Sequence, residues 1–378
     1  MTFIAPGKTL GIIGGGSETY IFELEAKRMG FRTMLLTDEE NDIATQAADS
    51  FLVGKLENIE NLSELGHRSD LLLYMDENFD SGLLKQLAKT FNVAQGADLL
   101  EIVQDRYIER TFLNDLNINV PPFFSVVTVD DVKNAVDEIG FPCILKPIQN
   151  NQTILKRHIL YNSEDVERVQ KLLKDGTYIL EAWIETKKEY SIMVSKSEDK
   201  KIHTFPMIQE IYDGTHLMSS FIYKKNNPDV EAEMQRVALM VAENVNYVGI
   251  FGISFILSDS DVLYVKRIFP GINYSANVYQ EATGISQSEI HIRAICDWPI
   301  PEIFPRVNAA TLKIIEGNLP QSLDLLQEKA QWKFNYYTGF KAKNQADRDV
   351  GYISIFSDDV EELKNDILTT NIWRVENS

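Results

Sequence analysis

The chain has 378 residues, 44% of them hydrophobic and 25% charged, which is the composition of an ordinary globular protein with two or three domains. With 56 acidic residues against 37 basic ones, the formal charge of −19 argues against a nucleic-acid or anionic-membrane surface. The apolar runs stay below the roughly 18 residues of a membrane span, and residues 1–16 lack the pattern of a signal peptide, so we expect a cytoplasmic protein without nucleic-acid or membrane partners.

The first predicted elements are a strand, a glycine-rich turn and a helix. An apolar run over residues 9–13 leads into the turn, and a second strand ends at Asp38, which together predict a βαβ unit. The helix N-terminus of such a unit can hold a phosphate. Thr19 stands where a dinucleotide fingerprint needs its third glycine, which favours a turn that serves the fold or another ligand. The turn and the predicted helix N-cap consist of Gly14, Gly15, Gly16 and Ser17.

Charged residues lie within apolar segments in the middle of the chain. Lys146 belongs to the apolar run 141–148, where a lysine is costly unless it is exposed or paired. It is therefore either an edge-strand lysine or a phosphate contact. Glu181 and Glu189 lie on either side of a turn between two strand-like segments, and each is either a solvated surface acid or a ligand contact.

A predicted β-hairpin follows a long amphipathic helix. The β-rich residues 248–257 lead through an Asp/Ser turn at 258–261 into a second apolar run at 262–268. Prolines near residue 300 then indicate a boundary. We predict three domains, which cover residues 1–100, 101–300 (with a smaller lobe at about 123–185) and 301–378.

Several short segments share their order and spacing with one known family. These are GIIGGG (11–16), QDR (104–106), VPPF (120–123), GFPCILK (140–146), YILEAWI (178–184), YVGIFGISF (247–255), ISQSEIHIRAI (285–295) and RDVGYISI (348–355). In this order they resemble the ATP-grasp ligases, and within them the carboxyaminoimidazole ribonucleotide synthetases. The resemblance covers nearly the whole chain.

The resemblance implies a mixed α/β and α+β fold. Its parts are a Rossmann-like preATP-grasp domain, a two-part ATP-grasp domain that clamps ATP between two sheets, and a small β-rich C-terminal domain. It also implies a reaction of purine biosynthesis, in which ATP and bicarbonate give carboxyphosphate and the carboxyl passes to the exocyclic amine of aminoimidazole ribonucleotide. Magnesium accompanies ATP in this family, and the family implies a homodimer.

The nucleoside side of the family's site is retained. Arg106 and Lys146 match the family's cationic phosphate contacts. Glu181 and the backbone through Ile184 match the adenine-recognising strand, and Glu189 matches the carboxylate that holds the ribose hydroxyls. The resemblance therefore implies ATP or ADP as a ligand of this chain.

The metal and phosphate side differs from the family. The first magnesium-binding glutamate corresponds to Ser254, and an Asn-Glu pair corresponds to Lys266 and Arg267. Magnesium binds through carboxylate oxygens, so a guanidinium at this position should abolish the site. Either cation can replace the charge of the metal, but strict alternation along a strand would let only one of them do so. The family's loop GGYDGKGQ corresponds to residues 150–157, which contain no glycine.

The substrate side differs as well. The family's PRPHNSGH corresponds to PGINYSAN at 270–277, which removes an arginine and two histidines. Its GGGQLG corresponds to residues 14–19, where Glu18 brings a negative charge to the expected position of a substrate phosphate. Its YEFEN and RKMGH correspond to residues 74–78 and 348–352.

These differences leave several functions open. The first alternative is a degenerate relative that binds an adenine nucleotide without full catalysis. The second is an active family ligase whose metal ligands are rebuilt from acids such as Glu210 or Asp213. The others are an ATP-grasp ligase for another acid and amine, and a non-catalytic scaffold for a partner. A ribonucleotide is a further candidate ligand. The glycine turn alone suggests a nicotinamide oxidoreductase.

Overall fold

The computed structural model describes residues 3–149, 157–174, 176–337 and 348–376. The first part is a parallel sheet of order β3-β2-β1-β4 with helices around it, which confirms the predicted βαβ unit. Its inner strands are buried nearly throughout, whereas the edge strand β3 alternates between half-buried and exposed residues. The strands are β1 (Thr9–Ile13), β2 (Arg32–Thr37), β3 (Ser50–Val53) and β4 (Leu71–Tyr74), and the helices are α1 (Ser17–Arg28), α2 (Ile59–His67), α3 (Ser81–Leu87) and α4 (Asp98–Gln104), with a 3-10 helix at Ile43–Gln46.

Helix α5 (Arg106–Asp115) leads into a smaller antiparallel sheet, which lies within the predicted smaller lobe. Its strand order is β5-β8-β6-β7. The elements are β5 (Phe123–Val126), α6 (Val129–Ile139), β6 (Cys143–Pro147), β7 (His158–Leu160), α7 (Ser163–Arg168), a 3-10 helix at Val169–Lys174 and β8 (Tyr178–Ala182).

A large antiparallel sheet forms the rest of the molecule, in the order β14-β13-β9-β11-β12-β15-β17-β16 with β10 paired to β9. Its strands are β9 (Thr186–Lys196), β10 (Ile202–Thr204), β11 (Ile208–Asp213), β12 (His216–Ile222), β13 (Gly249–Ser258), β14 (Leu263–Pro270), β15 (Asn308–Ile315), β16 (Lys333–Tyr336) and β17 (Asp349–Ser357). Its helices are α8 (Pro228–Asn244), α9 (Tyr279–Thr283), α10 (Gln287–Ile295), α11 (Leu319–Glu328) and α12 (Val360–Leu368), with 3-10 helices at Tyr274–Val278 and Glu316–Asn318. The strands of the predicted third domain thus extend this sheet, because β15 pairs with β12. The bounds of the three domains stay a prediction.

The predicted hairpin is β13 and β14, and it contains a β-bulge. Ser254 is opposite Arg267 and Phe255 is opposite Val265, so Lys266 is the extra residue on its strand. The bulge corrects the expectation of strict alternation. Lys266 and Arg267 are therefore not forced onto opposite faces of the sheet.

The first sheet and the hairpin share one hydrophobic core. Ile13 and Tyr74 of the first sheet, Val237 of α8, and Phe251 and Ile268 of the hairpin belong to a single buried cluster. The hairpin is therefore packed directly against the first sheet. In the described parts of the chain, no helix combines the length and apolar character needed to cross a membrane.

Candidate functional site

A buried ion cluster lies where α5 meets the smaller sheet and the hairpin. Glu181, on β8, is 1% exposed and accepts hydrogen bonds from Arg110 Nε at 2.6 Å and from Lys146 Nζ. Arg110 also donates to Glu109 at 3.0 Å and to the Lys266 carbonyl oxygen at 2.8 Å. One carboxylate thus anchors two cations and joins three elements.

The charge state of this cluster follows from opposing effects on Glu181. Burial by itself raises the pKa of a carboxyl group, because it disfavours the charged form. The Arg110 guanidinium and the Lys146 ammonium outweigh burial and lower the pKa of Glu181 to about 2. Glu181 is therefore ionised at neutral pH, and its single negative charge is shared by the two cations.

A cavity of about 180 Å³ opens beside this cluster. Its lining brings together Lys146, Glu181, Ile184 and Glu189, the residues assigned from the sequence to the nucleoside side, and adds Lys266. Its other lining residues are Arg110, Pro121, Ile144, Arg157, Ala182, Trp183, Thr186 and Ile256. An apolar pocket with a few convergent polar groups is the usual form of a small-molecule site.

Arg106 does not line this cavity. Its NH1 atom donates to the carbonyl oxygens of Pro147, at 2.5 Å, and of Gln149, at 3.3 Å. Its own backbone N–H donates to the Ile148 carbonyl oxygen at 2.9 Å. Burial and the nearby Arg157 lower the pKa of Arg106 to about 10. In this structure Arg106 fastens the start of α5 to the end of β6.

The hairpin positions that the family resemblance assigns to metal ligands carry ion-paired cations. Lys266 Nζ donates to Glu189, and Arg267 NH2 donates to Glu77 Oε2 at 2.5 Å. Ser254 of β13 is opposite Arg267 of β14 and opposite Ser191 of β9, so these three side chains lie on one face of the sheet. Glu189 is two residues from Ser191 on β9 and therefore lies on the same face. Both cations therefore reach the face of the sheet that carries Glu189.

The residues on this face do not suit magnesium. Glu210 is buried, and its two oxygens accept hydrogen bonds from Ser191 Oγ at 2.7 Å and from Tyr212 Oη at 3.0 Å. Asp213 is exposed. In the described ranges no group of three or more His, Cys, Asp or Glu side chains is arranged to hold a metal ion. Lys266 and Arg267 supply positive charge where magnesium would need carboxylate oxygens.

The N-terminal glycine turn already holds an anion from within the chain. The Asp42 carboxylate accepts the Gly16 N–H at 2.9 and 3.1 Å and the Thr37 hydroxyl at 3.0 Å. A Cβ atom at Gly15 would lie 1.7 Å from Asp42 Oδ2, so glycine is required there. Gly14 lies next to Gly15 with φ +99°, a conformation that favours glycine.

The N-cap of α1 is Gly16, not Ser17. Gly16 has φ +102°, and the Ser17 hydroxyl donates to Glu18 Oε2 at 2.8 Å instead of capping the helix. Burial raises the pKa of Glu18. Two acidic side chains, Asp42 and Glu18, therefore flank the position at which a substrate phosphate is expected.

Tyrosines and an ion pair fill the rest of the expected substrate side. Lys313 Nζ lies 2.6 Å from Asp349 Oδ1 and 4.8 Å from the centre of the Tyr274 ring. The Tyr274 hydroxyl donates to the Gly351 carbonyl oxygen at 2.9 Å, and its ring centre lies 6.3 Å from that of Tyr352. Of the glycine-free loop at 150–157, residues 150–156 lie outside the described residues.

Several site residues were not found from the sequence. Arg110 belongs to a helix of mixed charge with no motif of its own, and its role depends on where α5 packs. Asp42 lies in a loop after β2 and meets Gly16 of the glycine turn. Glu77 lies in the segment 74–78 that the sequence assigned to the substrate side, but its pairing with Arg267 was not predicted. The position of Asp42 in the loop after β2 was a usable signal for its contact with the glycine turn after β1. Loops at the carboxyl ends of neighbouring parallel strands meet at one edge of the sheet.

Family and structure comparisons agree with this architecture. Residues 7–104 match the ribonucleotide synthetase preATP-grasp domain, and residues 111–287 match the ATP-grasp domain. A N5-carboxyaminoimidazole ribonucleotide synthase of Staphylococcus aureus is 26% identical over 365 residues, which is 96% of each chain.

Solved structures of such enzymes have the same fold. An ADP complex of a N5-carboxyaminoimidazole ribonucleotide synthetase superposes with a TM-score of 0.92 at 26% identity, covering 99% of this chain and 98% of the other. The enzyme of Aspergillus clavatus, in complex with ADP and aminoimidazole ribonucleotide, superposes with a TM-score of 0.84 at 20% identity, covering 96% and 97%.

Proposed function

Because this chain belongs to the ATP-grasp superfamily and resembles N5-carboxyaminoimidazole ribonucleotide synthetases over nearly its whole length, we propose that it binds an adenine nucleotide without a divalent metal and does not complete the ligase reaction. The observation that carries the proposal is the hairpin. Lys266 and Arg267, which the family resemblance aligns with metal ligands, are each paired with a glutamate.

The cavity beside Glu181 supports the nucleotide part of the proposal. It combines apolar walls from Ile144, Ile184 and Ile256 with the Lys146 ammonium and the Glu189 carboxylate. An adenine ring fits apolar walls, a ribose hydroxyl donates to a carboxylate, and a phosphate accepts from an ammonium. A relative of the same fold is known as an ADP complex.

The charges near the cavity support binding without a metal. Lys146, Lys266 and Arg267 are positive, and Arg157 also lines the cavity. A metal ion in an ATP site offsets the negative charge of the phosphates, and fixed cations do the same. Adding magnesium would therefore bring no gain in affinity, since the carboxylates of this face are engaged by other side chains and no group of three metal-ligating side chains is found among the described residues.

Calorimetric titration of ATP, with excess EDTA and with magnesium, tests both parts of the proposal. We expect equal affinity in the two conditions and no phosphate release when bicarbonate and aminoimidazole ribonucleotide are added. Lys266→Gln should weaken metal-free ATP binding about tenfold, as expected for loss of a charge-assisted hydrogen bond. Lys187→Gln is the matched control, because Lys187 pairs with the exposed Asp261 outside the cavity.

Three results would contradict the proposal in different ways. Phosphate release that depends on both substrates would make the protein an active ligase of the family. ATP binding that requires magnesium would show that metal ligands have been rebuilt from other acids. Absence of any adenine-nucleotide binding would leave the fold as a scaffold for a partner.

A further inference from the structure

Lys266 and Glu189 form an ion pair in the wall of the cavity beside Glu181. The Lys266 Nζ atom donates a hydrogen bond to Glu189, and both side chains line the cavity. They are partly accessible, with 34% of the Lys266 side chain and 17% of the Glu189 side chain exposed. A bound ligand can therefore contact either member of the pair.

The main chain of Lys266 is held more firmly than its ammonium group. Lys266 is the extra residue of the β-bulge, and its carbonyl oxygen accepts a hydrogen bond from the buried Arg110 at 2.8 Å. Its Nζ atom lies 4.8 Å from the centre of the Tyr212 ring, at the end of a flexible side chain. The ammonium group can therefore turn from Glu189 towards a ligand without any change in the hairpin.

Glu189 depends on Lys266 because a second glutamate lies beside it. Glu189 of β9 is directly opposite Glu210 of β11, and like charges at directly opposite positions destabilise a sheet. Glu210 is engaged by the hydroxyls of Ser191 and Tyr212. Glu189 has its ion pair with Lys266 and no other among the described residues. If Lys266 moves away, Glu189 therefore requires other hydrogen-bond donors.

We propose that Lys266 and Glu189 form a latch that selects a ligand carrying both a ribose diol and a phosphate. When the latch opens, the Lys266 ammonium exchanges the carboxylate for a phosphate oxygen. Glu189 exchanges the ammonium for two ribose hydroxyls, which are hydrogen-bond donors. The inference rests on the proposed nucleotide binding and names the ligand class of that same site, a phosphorylated nucleoside.

The latch makes recognition of the two halves of the ligand interdependent. A nucleoside without phosphate must open the ion pair to reach Glu189, but it gives Lys266 no acceptor in return. A free phosphate draws Lys266 away and leaves Glu189 beside Glu210 without a donor. A nucleotide meets both requirements in one molecule, so it is selected over the nucleoside more strongly than its phosphate contacts alone would provide.

Titration of ADP and of adenosine in excess EDTA tests the latch through effects of opposite sign, with calorimetry for ADP and saturation-transfer NMR for the weaker adenosine. Lys266→Met keeps an unbranched apolar side chain and removes the charge. It should weaken ADP binding about tenfold, because a charge-assisted hydrogen bond to phosphate is lost. It should strengthen adenosine binding about threefold, because a partly exposed ion pair no longer has to open. A dideoxyadenosine that lacks both ribose hydroxyls should not share this gain.

Glu189→Gln is the complementary variant, because it frees Lys266 and removes the carboxylate. It should weaken adenosine binding about fivefold and change ADP binding less, since the released ammonium offsets part of the loss. Lys187→Met is the matched control. The Lys187 side chain pairs with Asp261 outside the cavity, so this variant should bind both ligands like the parent protein.

Far-UV circular dichroism and thermal unfolding establish that each variant is folded. Absence of ADP binding by the parent protein would overturn the proposed function and the latch together. ADP binding by the parent protein, with adenosine binding weakened or unchanged in Lys266→Met, would overturn the latch alone, because a lysine with a purely electrostatic or structural role gives that result. Adenosine binding by Glu189→Gln equal to that of the parent protein would likewise overturn the latch.

Discussion

Glu181 shows how one buried side chain determines the charge balance of a whole site. Replacement by glutamine would leave Arg110 and Lys146 without their shared carboxylate in a buried position. Breaking a buried ion pair in this way costs about 3–5 kcal/mol, so we expect Glu181→Gln to lower the free energy of unfolding by that amount in urea at neutral pH. Glu185→Gln, at an exposed neighbouring position, is the control and should change little.

The same residue predicts a dependence on pH. The pKa of Glu181 is lowered from 4.5 to about 2 in the folded protein. A group whose pKa is lowered on folding contributes stability above its unfolded pKa, and this contribution is lost as the pH falls through the folded value. The difference in unfolding free energy between the parent protein and Glu181→Gln should therefore be constant above about pH 5 and shrink towards pH 2. A difference that grows on acidification would contradict the assignment.

Glu23 has the opposite behaviour. It is fully buried in α1, neither carboxyl oxygen has a hydrogen-bond partner among the described residues, and burial raises its pKa to about 9. A raised pKa contributes stability below the unfolded value of 4.5 that is lost as the pH rises to about 9. Glu23→Leu should thus stabilise the protein, by more at about pH 8.5 than at about pH 6. Urea unfolding at both pH values measures this, and a gain independent of pH would refute the argument.

At the scale of elements, the proposal of metal-free nucleotide binding depends on the hairpin. Ser254 and Arg267 are opposite each other on β13 and β14, so glutamates at both positions would bring two carboxylates together, with Glu77 released from its ion pair. The variant Ser254→Glu/Arg267→Glu should make ATP binding depend on magnesium, as calorimetry with and without EDTA can measure. Each single variant is a control with fewer added ligands. If the double variant folds and binds ATP equally with and without metal, the hairpin is not the former metal site.

The same hairpin marks how far the sequence alone could predict this molecule. A β-rich run, an Asp/Ser turn and a second apolar run predicted both strands within about two residues. The bulge at Lys266 was not predictable, because it depends on how β13 pairs with β9 and β14 together. Lys146 was expected to be an edge-strand lysine or a phosphate contact, whereas the structure pairs it with Glu181. The second cation, Arg110, reaches Glu181 only through the packing of α5 against the smaller sheet. Local patterns thus predicted the elements, and long-range packing decided the contacts of the site.

At the scale of the molecule, the first sheet and the hairpin behave as parts of one body. They share a hydrophobic core, and the Arg267–Glu77 ion pair joins them at the surface. The surfaces of the described residues do not by themselves identify a subunit interface, and the homodimer implied by the family stays a prediction. Sedimentation equilibrium measures it directly, and a monomer at all concentrations would contradict it.

A buried hydrogen-bond network connects these two parts more strongly than the surface ion pair. Gln95 accepts from the Tyr74 N–H at 2.9 Å and donates to the Tyr247 hydroxyl at 3.2 Å. That hydroxyl donates to the Ile250 carbonyl oxygen at 2.9 Å and accepts the Gly271 N–H at 3.2 Å. One phenol oxygen therefore links the first sheet to both strands of the hairpin in a site without exposure to water.

Removal of this hydroxyl should weaken the connection between the two parts. Tyr247→Phe removes the hydrogen bonds of the hydroxyl, whereas the Gly271 N–H still donates to the Ile250 carbonyl oxygen at 2.9 Å and Gln95 Nε2 still donates to the Tyr74 carbonyl oxygen at 3.1 Å. Because the former partners of the hydroxyl keep other hydrogen bonds, we expect a loss of about 1–2 kcal/mol in unfolding free energy and faster hydrogen exchange in both β4 and β13. Tyr74→Phe is the matched control, because the Tyr74 hydroxyl is equally buried but has no partner among the described residues. It should leave stability unchanged or slightly raised, whereas equal losses in the two variants would show that the network does not connect the sheets.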